Sequence, residues 1–311
     1  MSASVRLSPV DPGDLAELLG VADDARAADG ADPFNEQARL DVAAGRRDAV
    51  LILTDTTSRH PDATVGAAIL GSGEFDLVID PARRGEGFGG ATLKALLPGL
   101  MGEVTAWSHG DHPAARVLAS RTGFQRVRTL LQLWRPLSGG EEESDDSAAA
   151  AAESGAGNGI RIQPFRSGAD DTEWVALNAT VFATHPEQGA VTIGDLHDRM
   201  AEDWFDADDF LVARDASGRM VGYNWLKLEE PVPAADAPTE REGEIYVIGV
   251  DAASAGRGLG RSLMHAGLQR LRERGCTIAT LYVEGDNAPA LRLYRSLGFA
   301  DRMVDVQYRR A

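Results

Sequence analysis

The chain carries one block of sequence twice. Residues 84–99 read RGEGFGGATLKALLPG and residues 255–271 read AGRGLGRSLMHAGLQRL. Further on, GDHPAARVLASRTGF at 110–124 corresponds to GDNAPALRLYRSLGF at 285–299, with Asp111 against Asp286, Gly123 against Gly298 and Phe124 against Phe299. A chain of 311 residues exceeds the usual single-domain size, and the repeat makes two copies of one fold the economical solution. In this register Tyr294 stands against Ala119. A duplicated frame with a titratable hydroxyl in one copy only predicts one working site and one retired site.

Residues 138–159, SGGEEESDDSAAAAAESGAGNG, are acidic, small and repetitive. Such a segment buries too little apolar surface to offset its ordering entropy and reads as a flexible linker. It separates an N-terminal domain, 1–137, from a C-terminal domain, 160–311. Each half opens on a short extended segment, Val5 to Leu7 and Ile160 to Ile162, followed by helical stretches and strand pairs. VLIL at 50–53, TVGAAIL at 64–70 and FDLVI at 75–79 read as strands of the first half. In the second half FLVAR at 210–214 and MVGYNWLKL at 220–228 form a hairpin around Ser217-Gly218, and a Pro-rich loop at 231–238 precedes the strand EIYVIGV at 244–250. Leu263, Ala266, Gly267 and Leu271 keep the rhythm of a helix with one buried face. The fold class is α/β of the α+β type, each half a mixed, mostly antiparallel sheet flanked by helices.

The formal net charge of −17 argues against a nucleic-acid ligand, which needs a basic surface. No apolar run approaches the ~18 residues that would span a bilayer, and MSASVRLSPVDPGDL has no basic-then-apolar export pattern, so a cytoplasmic protein is expected. The single cysteine, Cys276, between Gly275 and a β-branched run, reads as a half-buried small hydrophobe. His185 has no second histidine at ligand spacing, so no metal is expected. Trp204-Phe205 reads as core packing. A monomer is the working expectation.

Glycines at 85, 87, 89 and 90, and again at 256, 258 and 260, lie between a buried strand and a helix. Glycine lets the backbone approach a ligand closely, and the unpaired N–H groups of a helix start favour an anion such as pyrophosphate. A local anion site of this kind is compatible with an acidic chain. A tight strand–helix turn would use the same residues. Neither copy is a Walker loop, since no Gly-Lys-Ser/Thr follows, and the dinucleotide fingerprint fits poorly.

Arg84-x-x-Gly87-x-Gly89 resembles the Arg/Gln-x-x-Gly-x-Gly/Ala signature of the GNAT acetyltransferases, which bind acetyl-CoA there. The second copy departs, with Ala255 in place of Arg or Gln while Gly258 and Gly260 remain. Within that superfamily HPEQG at 185–189, GEIYVIGVD at 243–251, GRGLG at 256–260, LYVEGDNAPALRLYRSLGF at 281–299 and Asn35-Glu36-Gln37 resemble the tandem-GNAT mycothiol synthase family. The resemblance covers essentially the whole chain. It implies acetyl transfer from acetyl-CoA to the cysteinyl amine of Cys-GlcN-Ins by the C-terminal half, beside an N-terminal half that keeps an acetyl-CoA site without chemistry of its own. Substrate contacts are implied at Glu36, Glu187, Lys227, Glu244 and Tyr282. Acetyl-CoA contacts are implied at Leu77, Val78 and Ile79, and at Arg84, Gly85, Glu86, Gly87, Phe88, Gly89 and Gly90. In the second half they fall on Ile248, Gly249 and Val250, on Ala255, Gly256, Arg257, Gly258, Leu259, Gly260 and Arg261, and on Asn287, Ala288, Pro289, Ala290, Leu291 and Arg292.

The reaction needs an amine freed of its proton, a thioester held nearby and a proton for the departing thiolate. A cysteinyl amine has a reference pKa of about 8, so a modest base suffices. Glu244, on the strand leading to the glycine loop, is placed for that role, and Tyr294 for proton donation to CoA. Gly249 inside a buried strand signals a bulge or a close ligand approach. Counted along the repeat, Glu244 aligns with Gly73, and Glu74 falls one residue away, on the opposite face of a regular strand. The first half is therefore expected to lack both proton-transfer groups. A tandem GNAT acting on another small amine or a protein N-terminus, and a non-turning acyl-CoA sensor, stay open.

Overall fold

The computed structural model describes residues 3–11, 15–55, 61–137, 159–185, 188–228 and 240–311. Apart from Gly159, the acidic linker lies outside the described residues, as do the Pro-rich loop at 231–238 and Glu187. The chain divides into two compact units that do not coincide with the two repeats. Unit 1 comprises Met1–Leu131, Glu284–Asp286 and Met303–Ala311; unit 2 comprises Gln132–Val283 and Asn287–Arg302. No helix among the described residues is long and apolar enough to cross a membrane.

In unit 1, β1 (Val5–Val10) is followed by α1 (Ala16–Asp29), α2 (Glu36–Ala43), β2 (Asp48–Thr54), β3 (Thr64–Gly71) and β4 (Glu74–Ile79). Then come α3 (Phe88–Leu96), β5 (Val104–Ser108) and α4 (Pro113–Thr122). Strands β1 to β4 pair antiparallel in sequence order, and β4 meets β5 in parallel at a single rung, Glu74 opposite Thr105. Apolar residues alternate along these strands and fill both faces. Ala67, Ile69 and Val78 pack under α1 and α2, and Phe75 packs with Leu93 and Ala119 of α3 and α4.

The strand after α4, β6 (Gln125–Pro136), runs out of unit 1 at Leu131, and its far end belongs to unit 2. Unit 2 continues with β7 (Arg161–Pro164), α5 (Asp171–Val181), α6 (Ile193–Met200), β8 (Phe210–Arg214), β9 (Met220–Lys227) and β10 (Glu242–Val250). It closes with α7 (Leu259–Glu273), β11 (Ile278–Glu284) and α8 (Ala288–Ser296). β7 to β10 pair antiparallel, and β10 pairs β11 in parallel. An aromatic core of Trp174, Phe210, Tyr223 and Trp225 lies under α5, with Phe210 and Trp225 stacked 4.4 Å apart.

The last strand of the second repeat, β12 (Ala300–Arg310), completes the sheet of unit 1, pairing antiparallel with β5 from Val306–Ser108 to Arg310–Val104. Each repeat thus gives the end of its final strand to the unit built mainly from the other. In unit 1, Asp305 of β12 accepts from the Gly110 backbone N–H (2.8 Å) and pairs with His109 Nδ1 (2.9 Å). Arg128 Nη2 donates to Glu284 Oε1 (2.5 Å). A sheet edge with unpaired backbone groups is covered in this way. A cut at residue 137, which the linker's composition suggests, would separate β12 from β5.

Candidate active site

The parallel ladder of β10 and β11 runs from Glu242–Ile278 to Ile245–Leu281, after which β10 continues to the glycine loop on the register of β9. The two parallel strands form a fork there. A β-bulge at Tyr246 sits at that point, since Ile245 faces Leu226 while Val247 faces Trp225. The extra residue puts Tyr246 and Val247 on the same face as Glu244, against the aromatic core, and turns Ile248 and Val250 toward α7.

Glu244 is flanked on its two rungs by Lys227 of β9 and Thr280 of β11. The Lys227 ammonium lies 5.1 Å from the Trp204 ring and 5.9 Å from the Tyr246 ring. Arg199 of α6 donates from Nε to the Tyr246 hydroxyl (3.0 Å). Tyr282, two residues beyond Thr280 on the same face of β11, is 42% exposed and accepts from Gln132 Nε2 (3.0 Å). Three of the implied substrate positions, Lys227, Glu244 and Tyr282, therefore share one face of three adjacent strands. Glu36 opens α2 in unit 1 behind the N-cap Asn35; its side chain, like the whole of Glu187, lies outside the described residues. Arg199, Tyr246 and Trp204 carry no signature in the sequence. Trp204 does pack against the core, and it also seats the Lys227 cation.

Tyr294 of α8 is buried, edge-on to Phe299 at 6.1 Å, and burial pushes its hydroxyl pKa up to about 12. The phenol is thus a protonated donor throughout the neutral range. Cys276 is buried and its thiol pKa is raised by that burial, consistent with a packing role.

Both glycine loops have the same build. Asp251 and Asp80 each close a short turn by accepting from the backbone two residues on, Ala253 N–H at 3.2 Å and Ala82 N–H at 2.8 Å. Gly258 (φ 84°) and Gly87 (φ 93°) then begin α7 and α3 in the left-handed region, with no side chain capping either helix start. The first-turn N–H groups are left to a ligand or water, which fits the pyrophosphate of acetyl-CoA. Asn287 caps α8 by accepting from Ala290 N–H at 3.2 Å. In unit 1 a cavity of about 430 Å³ opens against the loop, lined among others by Leu77, Ile79, Gly85, Phe88 and Trp107.

The signature arginine lines that cavity and also braces the loop. Arg84 donates twice to Asp29 of α1 (2.6 and 2.8 Å) and once to the Ile79 carbonyl (3.1 Å), tying the helix end to the loop. This explains why Ala255 can replace it while the turn survives: the aspartate and the glycines set the backbone. Glu86 is engaged by Arg83 at 3.1 Å on the outer side. Gly249 is not itself the bulge, and Tyr223 leaves no room there for a side chain. A Cβ there would lie 2.7 Å from the Tyr223 ring and hydroxyl, and the bulge itself is at Tyr246.

Glu74 corrects the residue-by-residue comparison of the repeats. It pairs with Gly71 on β3 and Thr105 on β5. Glu244 pairs with Lys227 and Thr280, and the repeat register sets Thr105 against Thr280. Because β10 has one bulged residue and β4 has none, the two glutamates hold the same rung and face. Among the described residues no group of three His, Cys, Asp or Glu side chains forms a metal cluster.

The family model "Acetyltransferase (GNAT) family" matches residues 178–299. A mycothiol acetyltransferase of Clavibacter michiganensis subsp. michiganensis is 46% identical, over 100% of this chain and 95% of its own. Another, of Kocuria rhizophila, is 38% identical over 98% and 99%. Among solved structures, a tandem GNAT protein from the clavulanic acid biosynthesis pathway covers 99% of this chain and 98% of its own, with TM-score 0.64 and 16% identity. A GCN5-related N-acetyltransferase from Sphaerobacter thermophilus covers 98% and 95%, with TM-score 0.62 and 19% identity. At such identities the structural likeness speaks for the fold alone.

Proposed function

Since the chain belongs to the mycothiol acetyltransferase family, N-acetyltransferases of mycothiol biosynthesis, we propose that it transfers acetyl from acetyl-CoA to the cysteinyl amine of Cys-GlcN-Ins. The products are mycothiol and CoA. The observation that carries this reading is the fork of unit 2, where Glu244, Lys227 and Tyr282 share a face beside an uncapped helix start.

The α7 start and the Asn287-capped turn hold the CoA phosphates and pantetheine. Glu244 takes the proton of the cysteinyl ammonium, whose reference pKa of about 8 makes that transfer easy near neutrality. The free amine attacks the thioester carbonyl, the C–S bond breaks as Tyr294 donates to the thiolate, and the second proton of the amine nitrogen passes through water to restore Tyr294, while Glu244 returns the first to solvent. Burial raises the tyrosine pKa and so keeps the phenol protonated until the thiolate forms. Lys227 and Tyr282 meet the hydroxyl-rich part of the acceptor, with Glu187 as a further contact. Most of the acceleration comes from holding amine and thioester together.

In unit 1 the loop and its cavity support an acetyl-CoA site without acetyl transfer. The chain acts as a cytoplasmic monomer with no metal. The test is to supply acetyl-CoA with Cys-GlcN-Ins, GlcN-Ins and peptide amines in parallel, following CoA thiol release and product mass. Acetylation of Cys-GlcN-Ins alone is the expected result. Acetylation of peptides and not of Cys-GlcN-Ins overturns the substrate.

A further inference from the structure

We propose that unit 1 binds an acyl-CoA whose acyl group is a straight fatty chain longer than acetyl, lying under α4 where the second repeat has a tyrosine ring. This rests on the reading of unit 1 as an acetyl-CoA site and names the acyl group that the site takes.

The cavity of about 430 Å³ in unit 1 does not stop at the glycine loop. It runs on into the apolar core, where its walls are Phe75 of β4, Leu93 of α3, Ala106 of β5, Ala119 of α4, Phe124 and Tyr308 of β12. Two of these walls are small where the second repeat is large. Ala119 stands against Tyr294 and Ala106 against Leu281, both buried in unit 2. At two other positions the first repeat has the larger residue, Phe75 on the rung of Ile245 and Tyr308 against Leu133. The cavity is the room left after those two have taken theirs. Phe124 meets Phe75 edge-on at 6.0 Å, so this end is walled by ring surface.

Tyr294 is the donor to the CoA sulfur in the reaction proposed for unit 2, so its counterpart Ala119 marks the sulfur end of the ligand in unit 1. With no ring there, a chain attached through that sulfur has room to fold back under α4. Acetyl would leave this apolar space unfilled, and the lining of an unfilled space forfeits its dispersion contacts. A longer chain fills it, and each buried methylene strengthens binding by about fourfold. The site is one of binding: Ala119 offers no acid, and Arg47, only 8% exposed, donates to Glu74 at 2.7 Å.

The experiment is equilibrium dialysis of the full chain with acetyl-CoA, butyryl-CoA and hexanoyl-CoA, each without an amine acceptor, with folding followed by thermal melting. Gly89→Leu, whose Cβ already meets Leu118 at 3.1 Å, blocks the loop of unit 1, so the binding it removes belongs to unit 1. From acetyl-CoA to hexanoyl-CoA the affinity of that site is expected to rise by about tenfold or more, with butyryl-CoA between. Ala119→Tyr restores the ring of the second repeat and brings hexanoyl-CoA back to within about twofold of acetyl-CoA. Ala106→Leu, a smaller plug, lowers the preference by about threefold and serves if A119Y does not fold. A unit 1 site that takes acetyl-CoA as tightly as hexanoyl-CoA overturns the longer acyl group and leaves the acetyl-CoA site standing. A preference for hexanoyl-CoA that survives in folded A119Y and A106L overturns the place of the chain under α4. One ligand per chain at every acyl length, unaffected by G89L, overturns the unit 1 site and the longer acyl group with it.

Discussion

At the fork of unit 2 a glutamate faces a lysine seated on two aromatic rings; at the fork of unit 1 a glutamate on the equivalent rung faces glycine and is clamped by a buried arginine. Beside them, Tyr294 in one repeat corresponds to Ala119 in the other, both buried. The loops that would hold phosphate are alike in backbone, each with a left-handed glycine before an uncapped helix. The duplicated frame has kept its binding geometry and its carboxylate. The difference between the repeats lies in the charges around the carboxylate and in the proton donor.

The largest effect that tests this contrast is at the base. Glu244→Gln is expected to lower kcat with Cys-GlcN-Ins by about 10²–10⁴-fold, the usual worth of a positioned proton acceptor, while Glu74→Gln in the otherwise unaltered protein leaves kcat within about twofold of the parent, on the same scale. Equal losses in steady-state assays would break the comparison. Next comes the acid: Tyr294→Phe is expected to lower kcat by about 10- to 100-fold, and more with acetyl-CoA than with a thioester whose thiol leaves more readily.

The exchanged strand provides a test on stability. Asp305→Ala removes the acceptor of the Gly110 N–H and the partner of His109, and is expected to cost about 1–2 kcal/mol, read as a lower Tm. The His109–Asp305 pair also predicts a pH effect. Burial by itself would lower the His109 pKa, but the Asp305 hydrogen bond and the nearby carboxylates raise it above the ordinary 6.5. Its stabilisation is therefore complete below pH 6.5 and is lost as pH rises through the folded-state value. Thermal melts across that window should slope downward in the parent and flatten in Asp305→Asn. The smallest effect is at Lys227→Met, expected to raise KM for Cys-GlcN-Ins by about 10-fold with kcat little changed, a loss of uniform binding. A fall in kcat with unchanged KM would instead place Lys227 in the chemistry.

Much of this site is written in short-range patterns. Gly-x-Gly before a helix, Asn287 ahead of Ala288-Pro289, and Tyr294 against Ala119 can all be read from spacing, because glycine conformation and helix capping are local. Lys227, Glu244 and Tyr282 are also legible once two antiparallel strands and one parallel strand are recognised. Arg199 and Arg47 are beyond reach, and Trp204 is legible as a core residue but not as the seat of the Lys227 cation. Each acts through a neighbour far away in sequence, and none sits in a pattern that distinguishes it from a surface or core residue.

Two copies of an α/β unit, the place of each glycine loop and the copy that retains a tyrosine follow from local pattern alone. Two things were decided only in three dimensions. A bulge at Tyr246 adds a residue without adding a rung, so Glu74 and Glu244 hold equivalent rungs although they are offset in the aligned sequences. The final strands are exchanged because a strand pairs through its backbone, which any suitable edge can satisfy; nothing in the side-chain pattern of β12 names β5 as its partner.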